Sequence, residues 1–219
     1  MKVIELGKNV LAANDVEAEA LREKMKNEGR LLINLMSAPG SGKTTLLGRL
    51  IGDMRDIRFG VMEADIESEI DAERIEALGA RAIQVHTGGM CHMDAYMTSE
   101  ALSEMGADGL DIVFLENVGN LICPAEYDTG AGLKIMILSV PEGDDKPLKY
   151  PLMFRESDAL VITKKDALDY FNFDLGRCAE RAKKLNPAIK IFPVSAKTGE
   201  GMGELENYLR EKLKNWRKI

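Results

Sequence analysis

The apolar run Leu31 to Met36 leads directly into Ser37-Ala38-Pro39-Gly40-Ser41-Gly42-Lys43-Thr44, after which Leu46, Leu47, Leu50 and Ile51 recur at helical spacing. A buried strand, a glycine-rich loop and a helix in that order leave few folds open. In such a loop the glycines let consecutive backbone N–H groups curl around phosphates, a lysine reaches the β and γ oxygens, and the next hydroxyl holds magnesium. Gly40, Ser41, Gly42, Lys43, Thr44 and Thr45 occupy these positions. The segment therefore predicts a P-loop and a bound nucleoside triphosphate. The pattern's first glycine is Ser37 here, which costs backbone freedom at the strand exit but leaves the phosphate-facing glycines intact.

Further short apolar runs (Phe59 to Met62, Ala82 to Val85, Ile112 to Leu115, Lys134 to Val140, Ala159 to Ile162, Lys190 to Val194) read as buried strands, most of them separated by helical patterns. This alternation predicts an α/β, three-layer fold with a mainly parallel twisted sheet and helices on both faces. Asn14-Asp15-Val16-Glu17 has the form of a capping box and predicts a helix running to Gly29, and a last helix is expected from Met202 to Trp216. The stretch Pro141 to Pro151 reads as a functional loop. A length of 219 residues suits one structural domain: an N-terminal arm and helix, residues 1–30, packed on a nucleotide-binding domain, residues 31–219.

No stretch approaches the roughly 20 apolar residues that span a bilayer, and the start does not resemble a secretory signal. A cytoplasmic location is expected, with no membrane partner. A formal net charge of -7 argues against broad adhesion to nucleic acid. Three cysteines, Cys91, Cys123 and Cys178, do not suggest a disulfide framework and leave metal binding or burial.

Glu116-Asn117-Val118-Gly119 follows the Ile112 strand, where P-loop enzymes carry a carboxylate near magnesium and a glycine near the γ-phosphate. Glutamate replaces the commoner aspartate. Asp65 and Asp71 follow another strand end; each is either a switch carboxylate reaching magnesium or the attacking water, or a solvated loop or cap acid. Thr163-Lys164-Lys165-Asp166 resembles the guanine-reading Asn-Lys-x-Asp of GTPases, with threonine replacing asparagine. An aspartate there accepts from both N–H groups of guanine's Watson–Crick edge, a pair adenine lacks. Ser195-Ala196-Lys197 matches the element that packs around the base in the same enzymes. The plain alternatives are a helix cap for Asp166 and a polar turn for Ser195.

Cys91 and His92 stand side by side in Met90-Cys91-His92-Met93-Asp94-Ala95, and Cys123 follows the Glu116 element closely. Thiolate and imidazole suit Ni2+ or Zn2+, but three residues do not complete a tetrahedral site, and buried cysteine with a satisfied histidine is the competing explanation. His86 ends an apolar strand and is expected to be structural.

Taken together, Ser37 to Thr44, Met90 to Ala95, Glu116 to Leu121 with Cys123, and Thr163 to Asp166 closely resemble the HypB family of hydrogenase nickel-incorporation GTPases, over essentially the whole chain. The resemblance implies the dimerising branch of P-loop GTPases, slow Mg2+-dependent GTP hydrolysis, and nickel delivery to a hydrogenase large-subunit precursor alongside other hydrogenase-maturation proteins. It also implies Cys91, His92 and Cys123 as metal ligands at the interface of a nucleotide-dependent homodimer, with Lys43, Thr44 and Glu116 serving the phosphates and magnesium. No cysteine-rich or histidine-rich store precedes the P-loop, and Tyr96 stands where some members carry a further histidine, so high-capacity nickel storage is not expected. The related urease accessory GTPase resembles the chain in its P-loop but carries a Cys-Pro-His motif. A separate alternative is a metal-binding adaptor in which nucleotide sets dimer state and turnover is incidental.

Overall fold

The computed structural model describes residues 6–64 and 74–218. Seven strands form one sheet: β1 (Leu31–Ser37), β2 (Phe59–Glu63), β3 (Arg81–Gln84), β4 (Ile112–Glu116), β5 (Leu133–Ser139), β6 (Ala159–Thr163) and β7 (Lys190–Pro193). Their order is β3-β2-β4-β1-β5-β6-β7, and every pairing is parallel. The helices used below are α1 (Leu6–Asn27), α2 (Lys43–Asp53), α3 (Ala95–Met105), α4 (Cys123–Glu126), α5 (Lys146–Lys149), α6 (Pro151–Arg155), α7 (Leu175–Leu185) and α8 (Met202–Trp216).

The central strand explains why both faces are covered. Alternate side chains of β1 point to opposite faces: Leu31, Ile33 and Leu35 pack with Leu46, Leu47 and Leu50 of α2 and Leu205 and Leu209 of α8, whereas Leu32 packs with Leu21 and Met25 of α1 and Leu102 of α3. Each such fully buried side chain is stabilised by roughly 1.5–3 kcal/mol of transfer free energy. Leaving either face in water would forfeit several of these terms. A third cluster around Met36, Met136 and Phe154 is closed by α6 and α7.

Strand limits fall within a residue of the apolar runs, and α8 has the expected limits. Two expectations change. The first helix does not begin at Asn14 but passes through it from Leu6; buried Asn14 makes tertiary bonds, donating to the Asp128 carbonyl at 2.9 Å and accepting from the Ala95 amide at 3.0 Å. Pro141 to Pro151 is a run of short helical turns, Val140–Glu142, α5 and the start of α6, rather than an open loop. Its prolines sit in first turns, where the missing N–H costs nothing. At the first of these turns Glu142 accepts from the Ser139 amide and hydroxyl, both at 2.7 Å.

β1 lies between β4 and β5, the point at which the chain's path along the sheet reverses direction. In open parallel sheets the crevice at such a switch point, beyond the carboxyl ends of the strands, is where ligands bind. The loops after β1, β4 and β6 all emerge there.

Candidate nucleotide and metal sites

Gly40 and Gly42 have φ of 71° and 92°, left-handed values that L side chains rarely adopt, and Gly42 caps α2. The loop thereby brings its backbone to the N-terminus of α2, where N–H groups and the helix dipole favour an anion. Ser37 is not in a left-handed conformation, so its departure from glycine introduces no strain. Its buried hydroxyl instead receives Lys43 Nζ at 2.9 Å, and Glu116 Oε1 stands 3.7 Å from the same ammonium. Ser41 Oγ is buried and has no hydrogen-bond partner among the described residues. A cleft of 460 Å³ opens here, lined by Pro39, Gly40, Gly42, Lys43, Thr44, Thr45, Glu116, Val118, Gly119 and Lys164. A Cβ on Gly119 would meet Pro39 Cγ at 2.9 Å, so only glycine lets the segment after β4 lie against the loop. A cation and a backbone cradle free of side chains fit a nucleotide's phosphates; Thr44 and Glu116 are of the type that holds Mg2+. Asp65 and Asp71 lie outside the described residues.

The segment after β6 is tied to the same loop. Thr163 Oγ1 donates to the Ser41 carbonyl at 2.6 Å, and Lys164 Nζ donates to the Gly40 carbonyl at 2.7 Å. Lys164 holds φ 58°, the positive value among described residues other than glycine, and starts the 3-10 turn Lys165–Tyr170. Asp166 is exposed and is not the N-cap of that turn; its Oδ1 accepts from Ser195 Oγ at 2.7 Å. This hydroxyl, aided by Lys197, holds the Asp166 carboxyl below the usual carboxylate range. Ser195 Oγ also accepts from the Thr198 amide at 3.1 Å, which fixes the turn containing Ala196 and Lys197. An ionised acceptor beside the cleft is what reading two N–H donors requires.

Cys91, His92 and Cys123 converge, with their ligand atoms within 4.8 Å of one another. The sulfurs are 2.8 Å apart, and His92 Nδ1 is 3.8 Å from Cys91 Sγ. The three residues arrive from two loops: one enters α3, whose N-cap Asp94 accepts from the Met97 amide at 2.8 Å, and the other leaves β4 and opens α4 with Cys123-Pro124. Burial pushes His92 below its ordinary value, favouring the neutral imidazole that ligates. The hydrogen bond with Cys91 pushes the Cys123 thiol up, so a cation is needed to favour its thiolate. Two sulfurs and one imidazole nitrogen fit a borderline divalent ion such as Ni2+ or Zn2+ and leave a coordination position for a donor from elsewhere.

Residues that sequence patterns did not single out complete this region. The Tyr127 ring stacks on His92, with centroids 3.7 Å apart and planes at 18°. Asn120 Nδ2 donates to the Cys91 carbonyl at 3.4 Å while its Oδ1 accepts from the Ile122 amide at 2.8 Å. His86 is exposed beyond the end of β3 and is not part of the cluster. Tyr96 is 60% exposed on α3. Buried Cys178, whose thiol burial pushes up to about 12, sits in the core cluster with Phe154 and has no metal-ligating neighbours of this kind among the described residues.

Residues 31–193 match the family described as CobW/HypB/UreG, nucleotide-binding domain. The chain is 45% identical over 215 residues to the hydrogenase/urease maturation factor HypB of Helicobacter hepaticus, covering 96% of this chain and 88% of that protein. Among solved structures, it is similar to HypB of Helicobacter pylori in complex with nickel, at TM-score 0.87 and 42% identity, covering 93% of this chain and 96% of that one. It is equally similar in fold to the hydrogenase maturation factor HypB of Archaeoglobus fulgidus, at TM-score 0.87 and 38% identity, covering 93% and 100% of the two chains.

Proposed function

The chain belongs to the CobW/HypB/UreG family and, within it, to the HypB maturation factors, and from that premise we propose that it hydrolyses GTP to GDP and phosphate and uses the nucleotide state to bind or release nickel for [NiFe] hydrogenase. In this reading the arm of residues 1–30 is packed on a GTPase domain of residues 31–219. The working form is a GTP-dependent homodimer with Cys91, His92 and Cys123 at its interface. Other hydrogenase-maturation proteins and the large-subunit precursor are its partners.

One observation carries the reading. The segment that leaves β4 holds Glu116 3.7 Å from Lys43, Gly119 against Pro39, and Cys123 against Cys91. It thus joins the phosphate end to the metal end within eight residues of sequence. A γ-phosphate entering the cleft competes with Ser37 and Glu116 for the Lys43 ammonium. Glu116 and Gly119 then adjust, and a displacement of the segment reaches Cys123. When bound, Mg2+ neutralises the phosphate charge that develops during transfer. Lys43, Thr44 and the backbone of Gly40 to Gly42 position the phosphates, so catalysis is mainly orientation and electrostatics. The nickel in the Helicobacter pylori protein supports nickel as the cargo.

Single-turnover GTP hydrolysis and nickel affinity, measured for the wild type and Cys91→Ala in GTP-analogue and GDP states, test the proposal. The wild type is expected to show different nickel affinities in the two states and Cys91→Ala to lose nickel binding while still hydrolysing GTP. Equal nickel affinities in the wild type would refute the coupling and favour the adaptor alternative, because linkage is reciprocal. The names of the Helicobacter relatives favour a second target, urease, which the nickel-transfer assay can include as an acceptor.

A further inference from the structure

Asn117 follows Glu116 in the segment after β4 and is 1% exposed. Its amide group is engaged on three sides. Oδ1 accepts from the Met93 amide at 3.1 Å and from the Val118 amide at 2.9 Å, while Nδ2 donates to Asn34 Oδ1 in the middle of β1 at 3.1 Å. Its own amide donates to the Leu35 carbonyl at 3.0 Å, extending the β1–β4 pairing by one residue. Two asparagines in an apolar core gain little net stability, since burying polar groups offsets most of what their bonds return. What they confer is registry: Met93 is the residue next to His92, and its peptide is fixed to the residue next to Glu116.

We propose that the Asn117 side chain is a positioning residue that transmits the state of the phosphate site to Cys91 and His92, by holding the Met93 peptide to the segment that carries Glu116 and Gly119. The inference rests on the nucleotide-coupled nickel reading given above, and it adds a second connection to it. Cys123 is linked to Glu116 through the chain itself, but Cys91 and His92 lie on a different loop. Asn120 also reaches the Cys91 carbonyl, but at 3.4 Å and on the exposed side, and Tyr127 touches His92 by stacking alone; without the buried Asn117 bond a displacement of the β4 exit would reach Cys91 and His92 only through these looser contacts. With it, the loop of Cys91 and His92 follows the same displacement, and the three donors spread or close as the nucleotide changes.

The test measures affinity for nickel(II) alone, by chelator competition and by sulfur-to-nickel charge-transfer absorption, with a non-hydrolysable GTP analogue and with GDP. The wild type should show a ratio between the two affinities of at least about fivefold. Asn117→Ala should bring that ratio within about twofold of one with GTP affinity close to wild type, at a lowered thermal midpoint because the Met93 and Val118 amides and Asn34 Oδ1 lose their partner. Asn117→Asp keeps both acceptor bonds and should restore most of the ratio. If the alanine protein does not fold, Asn117→Ser replaces it, because the shorter hydroxyl stays near Val118 but does not span to the Met93 amide. A wild type with a ratio of one overturns the coupled reading and this inference with it. A wild type that is coupled, with a folded alanine or serine variant retaining the full ratio, overturns the role of Asn117 alone. An aspartate variant that folds and binds GTP but loses the ratio as alanine does also overturns it.

Discussion

Asp166 shows how a single side chain is prepared before any ligand arrives. The Ser195 hydroxyl donates to it at 2.7 Å and favours its ionised form, so the proposed base reader presents an acceptor at neutral pH and does so from a fixed direction. Replacing it by Asn removes charge-assisted acceptance from two donors, and GTP affinity is expected to fall by roughly a hundredfold, about 3 kcal/mol. Ser195→Ala leaves the carboxylate present but unaimed, and a loss of about tenfold is expected. Displacement of a fluorescent GTP analogue reads both, with ATP as the competitor that should fail against the wild type. Lys43→Ala at the other end of the cleft should abolish binding in the same assay, or turnover in a phosphate-release assay. These residues were legible in the sequence because each belongs to a contiguous motif at the end of a strand, where local order already dictates the neighbours. Tyr127 was not, and Asn120, although inside the Glu116 to Leu121 motif, was not legible in what it touches. Each acts by reaching a loop about 30 residues away, and no local spacing encodes a ring stacked on His92 or an amide on the Cys91 carbonyl.

The strands were legible at the level of elements because an all-parallel sheet is buried on both faces and its strands become unbroken apolar runs. The first helix departs from its sequence pattern for a tertiary reason: Asn14 resembles a cap, but its amide group bonds the Asp128 carbonyl and the Ala95 amide. The packing of the last helix was equally hidden. α8 ends against the start of the sheet through Trp216, whose Nε1 donates to the Arg30 carbonyl at 2.9 Å, and through Arg217, which pairs with Asp111. A Cβ on Gly132 would meet the Trp216 ring at 2.6 Å, so Gly132→Ala should destabilise the protein by about 1–3 kcal/mol through overpacking, read as a lowered denaturation midpoint in urea. Asp111 is pulled well below the usual carboxylate range, first by the Arg58 hydrogen bonds and then by Arg217, with burial opposing them. A carboxyl depressed on folding stabilises the native state fully above its unfolded pKa of about 3.9, and that contribution fades as pH falls through the lower folded value. The wild type should therefore lose stability below about pH 4, and Asp111→Asn should flatten this acid limb while costing about 2 kcal/mol at neutral pH. Both arginines are partly exposed, which keeps that figure below the cost of breaking a fully buried pair.

At the scale of the whole molecule, the proposed metal site draws three donors from one chain, and the proposed homodimer would provide the rest. Its face is expected on the edge of the sheet from which the strands' carboxyl ends emerge. Met90 (39% exposed), Ile122 (56%), Tyr170 (83%) and Phe171 (45%) lie on segments following β3, β4 and β6, and Leu148 and Leu152 are exposed on α5 and α6 after β5. Large apolar side chains left exposed on these segments are costly to leave in water and gain by burial. A formal charge of -7 on each copy opposes that approach. Association should therefore depend on apolar contact with GTP bound, and screening salt should favour it or leave it unchanged. Phe171→Asp adds both a desolvation cost and a like charge to each side of a symmetric interface, so the dimer dissociation constant with a GTP analogue should rise at least about tenfold. Sedimentation velocity at two ionic strengths measures this directly, and GTP affinity of the monomer serves as the control for an intact cleft. A Phe171→Asp protein that dimerises like the wild type would take Phe171 out of the interface.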